Sequence, residues 1–228
     1  ATAAYTDKFI MDRNFGAASA ARADGIAKTR GLYYQFGRKD PLPGFGVYNA
    51  SGTAVTTSCV PGTTSIKTAV QNPFNFYYVG GDWVSGNPYP GTSWNNPTWY
   101  TSTPAGKSLF DPCPPGWRLP VNGTWDTFAL ADNVPNASNY PDDYKGGNVQ
   151  AGWEFYMSGS SGETAFYPAA GYRSPSSGVV AFERSHGASW SSTPSSGTGA
   201  YYLRFVSDNA TSLSDWRSYC FPVRCVQE

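Results

Sequence analysis

The chain has 228 residues, and its sixteen basic and sixteen acidic side chains give a formal net charge of zero. Nucleic-acid binding needs clustered Lys and Arg to neutralise phosphates, and no basic stripe is present, so nucleic acid is not expected as a partner. No apolar run is long enough to span a bilayer, and no signal segment opens the sequence. The low charged fraction, 14%, suits an extracellular or cell-surface protein.

Aromatic residues make up 16% of the chain, which also contains 25 Gly and 18 Pro. This composition favours short strands joined by long loops. In chain order, "GLYYQFGR" (31–38) and "FNFYYV" (74–79) are predicted strands, and the aromatic loop 80–104 is expected to pack on the domain by its rings. A helix is predicted from the N-cap Asn122, with Trp125, Phe128, Ala129 and Asp132 at helical spacing before Val134.

A strand is predicted from Tyr201 to Val206, and its side chains alternate between two faces. Tyr201, Leu203 and Phe205 share an apolar face, which is expected to belong to the core. The other face is chemically mixed and carries Tyr202, Arg204 and Val206. Such a face suits a solvent-exposed or ligand-binding surface, although any half-buried strand shows the same alternation.

The four cysteines, Cys59, Cys113, Cys220 and Cys225, lack the paired spacing of a zinc site. They are expected to form disulfides in an oxidising compartment, with three pairings possible. The single histidine, His186, excludes most metal and triad chemistries. Beside Ser185 or Ser189 it could suggest nucleophilic catalysis, but no acid is near enough in sequence to orient it, so a solvated histidine is expected.

An acidic segment offers oxygen ligands for calcium. Because no twelve-residue calcium-loop pattern appears, an acidic solvated loop is the favoured interpretation. The triplets that bind sugar through calcium in C-type lectins are also absent. The candidate oxygen donors are Asp132, Asn136, Asp142 and Asp143.

Several segments together resemble the Fibrobacter succinogenes major paralogous domain, a family of surface-associated proteins. They are "FIMDRNFGA" (9–17), "GLYYQFGRKDPLPG" (31–44), "DPCPPGWRLPVNGTWDTF" (111–128), and "FYPAAGYR" (166–173) through "VRCVQE". The "RLP…W" segment also resembles the helix entry of formylglycine-generating enzymes.

Both resemblances imply an α+β, C-type-lectin-like fold. The sequence contains no internal repeat and no low-complexity linker, so a single domain, 1–228, is expected. A C-type-lectin-like fold has a small twisted antiparallel sheet, two helices and long loops. Its chain ends lie close together, and "FPVRCV" (221–226) forms a last strand in the central sheet. The match also implies a disulfide between Cys113 and Cys225. Structural roles are expected for Arg118 and Arg224, which would pair with acids or carbonyls near the core.

The segment 187–228 carries a narrower resemblance, to the variable region of diversity-generating retroelement proteins from gut Bacteroidales. Its matching framework residues are Gly187, Trp190, Ser191, Ser192, Ala200, Tyr201, Leu203, Phe205, Arg217, Phe221, Val223, Arg224 and Cys225. The resemblance implies a ligand-binding face at the positions that vary. Those positions include 212–219 other than Arg217. The candidate ligand-binding residues are Ala188, Ser189, Tyr202, Arg204, Val206, Asp208, Ser212, Ser214, Asp215, Trp216, Ser218 and Tyr219.

The implied function is noncatalytic binding of a protein or surface-glycan ligand, with no cofactor or metal, by a variable protein displayed on a cell or a phage virion. One alternative is a structural or adhesive component of a cell-surface or fimbrial assembly. A second, disfavoured alternative is a copper-dependent oxidase of the formylglycine-generating type. Its copper(I) would be held by Cys220 and Cys225, whose spacing in "CFPVRC" matches the copper-binding cysteines of that family.

Overall fold

The computed structural model describes residues 9–44, 51, 57–85, 100–101, 106–125, 152–156, 163–206 and 209–228. These residues form mostly small antiparallel sheets with two short helices, α1 (Ile26–Thr29) and α2 (Ile66–Gln71), and a 3-10 turn, Arg22–Asp24. The α+β class is therefore confirmed. Most of the helix predicted after Asn122, and the four candidate calcium ligands, lie outside the described residues, and 122–125 form a turn.

The strands are short, as the frequent Gly and Pro residues predict. Both aromatic segments expected to be strands contain one. In chain order the strands are β1 (Tyr33–Gln35), β2 (Ser58–Pro61), β3 (Asn75–Tyr78), β4 (Tyr100–Thr101), β5 (Gly106–Lys107), β6 (Trp117–Arg118), β7 (Gly152–Tyr156), β8 (Thr164–Pro168), β9 (Tyr172–Arg173), β10 (Val180–Ala181), β11 (Gly187–Pro194), β12 (Gly199–Phe205), β13 (Ala210–Trp216), β14 (Cys220–Pro222) and β15 (Val226–Gln227).

Two sheets determine the architecture of the C-terminal half. A three-stranded antiparallel sheet has the order β11-β12-β13, and a four-stranded sheet has the order β1-β14-β9-β10. The chain passes from one to the other through the turn at Arg217–Tyr219, which follows β13 directly. Strands β7 and β8 form a separate hairpin, whose aromatic side chains pack against β12.

The predicted last strand, 221–226, is interrupted. Residues 223–225 are not in a strand, because their backbone bonds to the N-terminal segment instead of to a sheet neighbour. Phe15 donates its N–H to the Val223 carbonyl at 2.8 Å, and Met11 donates to Cys225 at 2.9 Å. The segment that begins at Phe9 therefore lies beside the last residues of the chain, as expected.

Cys113 and Cys225 form a disulfide, which confirms the pairing implied by the resemblance. The bond ties the segment before β6 to the segment before β15, and β6 and β15 pair with each other. Arg118 donates to the Leu119 carbonyl at 3.0 Å, and Arg224 donates to the Phe166 carbonyl at 2.6 Å. The structural roles expected for both arginines are confirmed.

The β11-β12-β13 sheet is covered on both faces along part of its length. On one face Trp190 and Tyr202 pack with Phe221 of β14, and the Trp190 indole N–H donates to the Tyr34 carbonyl at 2.9 Å. On the opposite face Leu203 and Phe205 pack against the hairpin β7–β8 through residues such as Phe155. The central strand β12 is therefore a core strand, and a surface can form only where neighbouring elements leave one face open.

Candidate ligand-binding face

One face of the three-stranded sheet remains partly open near β13. In the register of β12 and β13, Arg204 lies opposite Thr211, Tyr202 opposite Leu213, and Ala200 opposite Asp215. Directly opposed residues of an antiparallel pair share a face. The term aromatic face is used here for this side of the sheet together with the tyrosines that adjoin it: Tyr172, Tyr202, Arg204, Leu213, Asp215 and Tyr219.

Aromatic rings form the floor of this face. The Phe221 ring lies at the centre, with ring centroids 4.4 Å from Tyr202, 5.3 Å from Tyr219 and 5.9 Å from Tyr172. Tyr172 and Tyr219 meet edge to face at 5.2 Å. Such contacts fix the rings in place. Among the described residues, the hydroxyls of Tyr172, Tyr202 and Tyr219 have no hydrogen-bond partner, so those that reach the surface can bond to a ligand.

Two charged residues flank the tyrosines. Arg204 and Asp215 are both half-buried, and neither forms an ion pair with another described residue. Partial burial raises the pKa of the Asp215 carboxyl above its ordinary value, although that carboxylate accepts a hydrogen bond from the Trp216 N–H at 2.8 Å. A half-buried charge without a partner destabilises the free protein, because desolvation is not compensated.

The same charges act on the tyrosines. Burial, and then the negative charge of Asp215, raise the pKa of Tyr219 to about 12. The pKa values of Tyr202 and Tyr172 are raised by the same two causes, and the Arg204 charge opposes the increase. All three phenols therefore remain neutral hydrogen-bonding groups at physiological pH.

A strained turn adjoins the Arg204 end of the face. Phe182 and Arg184 have positive φ angles of 58° and 72°, a conformation uncommon for residues other than glycine. The Phe182 ring is 52% exposed and contacts Tyr172 at 5.4 Å and His186 at 4.6 Å. Non-glycine residues held in this conformation are concentrated at functional sites.

His186 is half-buried rather than solvated. Its Nδ1 is 3.0 Å from the Ser185 hydroxyl, and its pKa is lowered by partial burial and by the Arg204 charge. No carboxylate among the described residues hydrogen-bonds to the ring, so these residues do not assemble a triad there.

The structure buries four of the predicted ligand-binding residues. Ala188, Ser189 and Ser218 are interior, and Ser218 donates its hydroxyl to the Val79 carbonyl at 2.5 Å. Tyr202 lies on the same face as Arg204, as expected, but it is only 7% exposed because Trp190 and Phe221 cover its ring. Tyr201, expected in the core, is half-buried.

The other predicted residues divide between two faces. Ser212, Ser214 and Trp216 point away from the aromatic face, because successive residues of a strand alternate. The Ser212 hydroxyl donates to the Asn122 side-chain oxygen at 2.5 Å, and Trp216, 46% exposed, lies against Gly80. Residues on the aromatic face or half-buried near it are Arg204, Val206, Asp215 and Tyr219. Asp208 lies outside the described residues.

No family model, curated protein or solved structure matches this chain. The chemistry of the aromatic face is therefore interpreted from its own geometry. It combines fixed rings, three neutral phenols, one guanidinium and one carboxylate, and this combination suits reversible binding of a polar surface.

Three residues of this region were not predicted as ligand-binding residues. Tyr172 and Phe182 come from sequence outside 187–228, and only the tertiary packing brings them to the face. Leu213, 39% exposed, is one of the positions expected to vary but was not among the candidate ligand-binding residues. The alternation of side chains in β13 could have identified Leu213, because it lies between Ser212 and Ser214 and shares a face with Asp215.

The described part of the chain contains no site that fits the metal hypotheses. No group of three His, Cys, Asp or Glu side chains there could hold a metal ion. The sulfur of Cys225 is bonded to Cys113, and burial raises the pKa of the Cys220 thiol. The two thiolates that copper(I) would require are therefore not both available. No helix in the described ranges is long and apolar enough to cross a bilayer.

Proposed function

We propose that this chain is a surface-displayed, C-type-lectin-like domain that binds a macromolecular ligand through its aromatic face without catalysing a reaction. In this proposal the segment 187–228 is the variable region of a diversity-generating retroelement protein. Scaffold side chains keep the sheet in place, and exchangeable side chains make the contacts. The ligand meets the domain outside the cell or on a virion.

The observation that carries the proposal is the burial of the framework residues in the segment 187–228. Nearly every residue assigned to the framework is buried; the exception is Tyr201. The buried framework residues are Gly187, Trp190, Ser191, Ser192, Ala200, Leu203, Phe205, Arg217, Phe221, Val223, Arg224 and Cys225. Of the residues expected to vary, Arg204, Asp215, Trp216 and Tyr219 reach the surface at least in part, whereas Ala188, Ser189, Tyr202 and Ser218 are buried.

This division suits a surface that changes while the fold persists. Substitutions at partly exposed positions away from special features change stability little, whereas core substitutions cost several kcal/mol. Tyr, Trp and Arg are also the residues most enriched in binding hot spots. A broad face built from such side chains fits a macromolecule better than it fits a small metabolite, which is bound in a concave pocket.

The DNA around the gene tests the proposal directly. A near-copy of the sequence encoding the last part of the chain should lie beside a reverse-transcriptase gene. The two copies should differ at adenines, and the differing codons should include those of Arg204, Asp215 and Tyr219. A locus with neither the copy nor the reverse transcriptase would contradict diversification and favour a structural or adhesive surface component.

A folding experiment tests the division between framework and face. A library that randomises Arg204, Asp215 and Tyr219 together should yield mostly folded, soluble proteins. A matched library at the buried framework residues Trp190, Phe205 and Phe221 should yield few. Equal folded fractions in the two libraries would contradict the proposed scaffold.

A further inference from the structure

The charges on the aromatic face are separated along the sheet. Arg204 lies opposite Thr211 on β13, and Asp215 follows Thr211 by four residues on that strand. At the rise of a β-strand, the two charged positions are about 13 Å apart. The half-buried guanidinium and carboxylate therefore mark opposite ends of one strip.

A pair of opposed residues, one aromatic and one aliphatic, lies midway along this strip. Tyr202 and Leu213 face each other between the two charged positions, and Leu213 is 39% exposed. Along β13 the order is therefore the Arg204 position, then Leu213 opposite Tyr202, then Asp215. The spacing between neighbours is two residues, which is the repeat of side chains on one face of a strand.

An extended polypeptide matches this order. Its residues i, i+2 and i+4 point to one side and cover the same distance as the strip. An acid at one end would pair with Arg204, a base at the other end would pair with Asp215, and an apolar residue between them would cover Leu213. Both half-buried charges would then gain partners, and this compensation would favour association.

We propose that the aromatic face of this domain recognises an extended protein segment of the pattern acid-x-apolar-x-base, in either chain direction. This inference rests on the proposed function. The composition of the segment that builds the face supports a protein ligand. Residues 187–219 contain nine Ser and three Tyr, two residue types that are also frequent in antibody binding loops. Charge complementarity at two positions fixes the register of the bound segment.

The turn beside Arg204 extends the contact beyond the diversified segment. Glu183 forms an ion pair with Arg30 at 2.6 Å, and the Arg30 side chain is 4% exposed. The Arg184 N–H donates to the Ala169 carbonyl at 2.7 Å. These bonds fix the turn at Glu183 and Arg184, directly after Phe182. Phe182, which lies outside the segment 187–228, would therefore stay the same when that segment varies. Its ring would contact the ligand residue next to the acid that pairs with Arg204.

Selection from a library of random short peptides displayed on yeast tests the recognition pattern. Against the unchanged domain, peptides with one acid and one base four positions apart should be enriched several-fold over peptides with other charge spacings. Against Arg204→Glu the enriched peptides should carry two bases at that spacing. Against Asp215→Lys they should carry two acids. Lys28→Glu, at an exposed site on α1, is the matched control and should leave the selection unchanged.

Each variant is first checked for a native thermal transition. A variant that does not fold is replaced by Arg204→Gln or Asp215→Asn. The neutral residue should abolish the charge preference at the peptide position that faces it. Charge patterns that do not follow the substitutions would overturn the protein-segment proposal. Binding to a glycan array that is lost in Phe182→Ser, without charge-dependent peptide enrichment, would also overturn it. In that case the proposed binding function would stand.

Discussion

The guanidinium of Arg217 lies 3.2 Å from the carboxylate of Asp82, and the arginine side chain is 2% exposed. Arg217 also donates to the carbonyls of Gly199 and Ser196, and it lies over the Phe36 ring. Its neighbour in sequence, Trp216, is 46% exposed. One fixed residue thus anchors the turn that connects the two sheets, although the residue immediately before it reaches the surface.

Arg217→Ala should destabilise the domain by about 3 kcal/mol or more, because it leaves the Asp82 carboxylate buried without its partner. Burial already raises the pKa of that carboxyl despite the nearby arginine. Trp216→Ala should change the free energy of unfolding by less than about 1 kcal/mol, because half of the ring is in water. Urea unfolding of both variants measures the difference. Similar losses would contradict the assignment of Arg217 to the framework and Trp216 to the surface.

The disulfide between Cys113 and Cys225 closes a loop with a sequence separation of 112 residues. Removing a native disulfide typically costs about 2–5 kcal/mol, and long loops are at the upper end in the chain-entropy account. The double variant Cys113→Ser/Cys225→Ser should therefore melt well below the unchanged protein. Cys59→Ser, at an exposed free thiol, is the control and should melt normally. A reductant that lowers the melting temperature of the double variant would show that another bond contributes.

Asp215→Asn should increase stability at neutral pH. The folded-state pKa of Asp215 is raised, so its contribution to stability is fully present below its unfolded pKa and is lost as the pH rises through the folded pKa. At pH 7 the ionised carboxylate is therefore unfavourable, and the neutral amide removes this cost, with an expected gain within about 0.5 kcal/mol. The gain should disappear in acid below the unfolded pKa.

Asp12→Asn provides a control of opposite sign for that measurement. The Asp12 carboxyl accepts hydrogen bonds from Arg13, which lower its pKa, so the amide should decrease stability at neutral pH. Thermal melts at neutral and acidic pH compare the two variants. A loss of stability in Asp215→Asn at neutral pH would show that the carboxylate is compensated in the free protein.

Tyr219 should make the domain less stable in alkali. Its folded pKa of about 12 exceeds that of an exposed tyrosine, about 10. Stability is therefore complete below the unfolded pKa and falls as the pH rises toward the folded pKa. Tyr219→Phe should show a smaller decrease in unfolding free energy across that window, measured by urea titration at several pH values. An identical pH profile in the variant would place the Tyr219 hydroxyl in water.

Local sequence patterns were sufficient for part of the fold and part of the face. Alternation in β12 separates Leu203 and Phe205 from Tyr202 and Arg204, because the direction of a side chain in a strand depends only on its position. The aromatic runs contain β1 and β3, since aromatic and β-branched residues favour half-buried strands. The pairing of Cys113 with Cys225 was predicted instead from the resemblance to a known family.

Tertiary packing decided which of these faces is open. Sequence places Tyr202 and Arg204 on one side of β12, but Phe221, from another sheet, covers the first and not the second. Tyr172 belongs to the face and Phe182 lies beside it, although both come from outside 187–228. A positive φ at a phenylalanine has no local sequence signal. The sequence by itself determined which side chains share a face; long-range contacts determined what covers that face, because burial depends on chain segments distant in sequence.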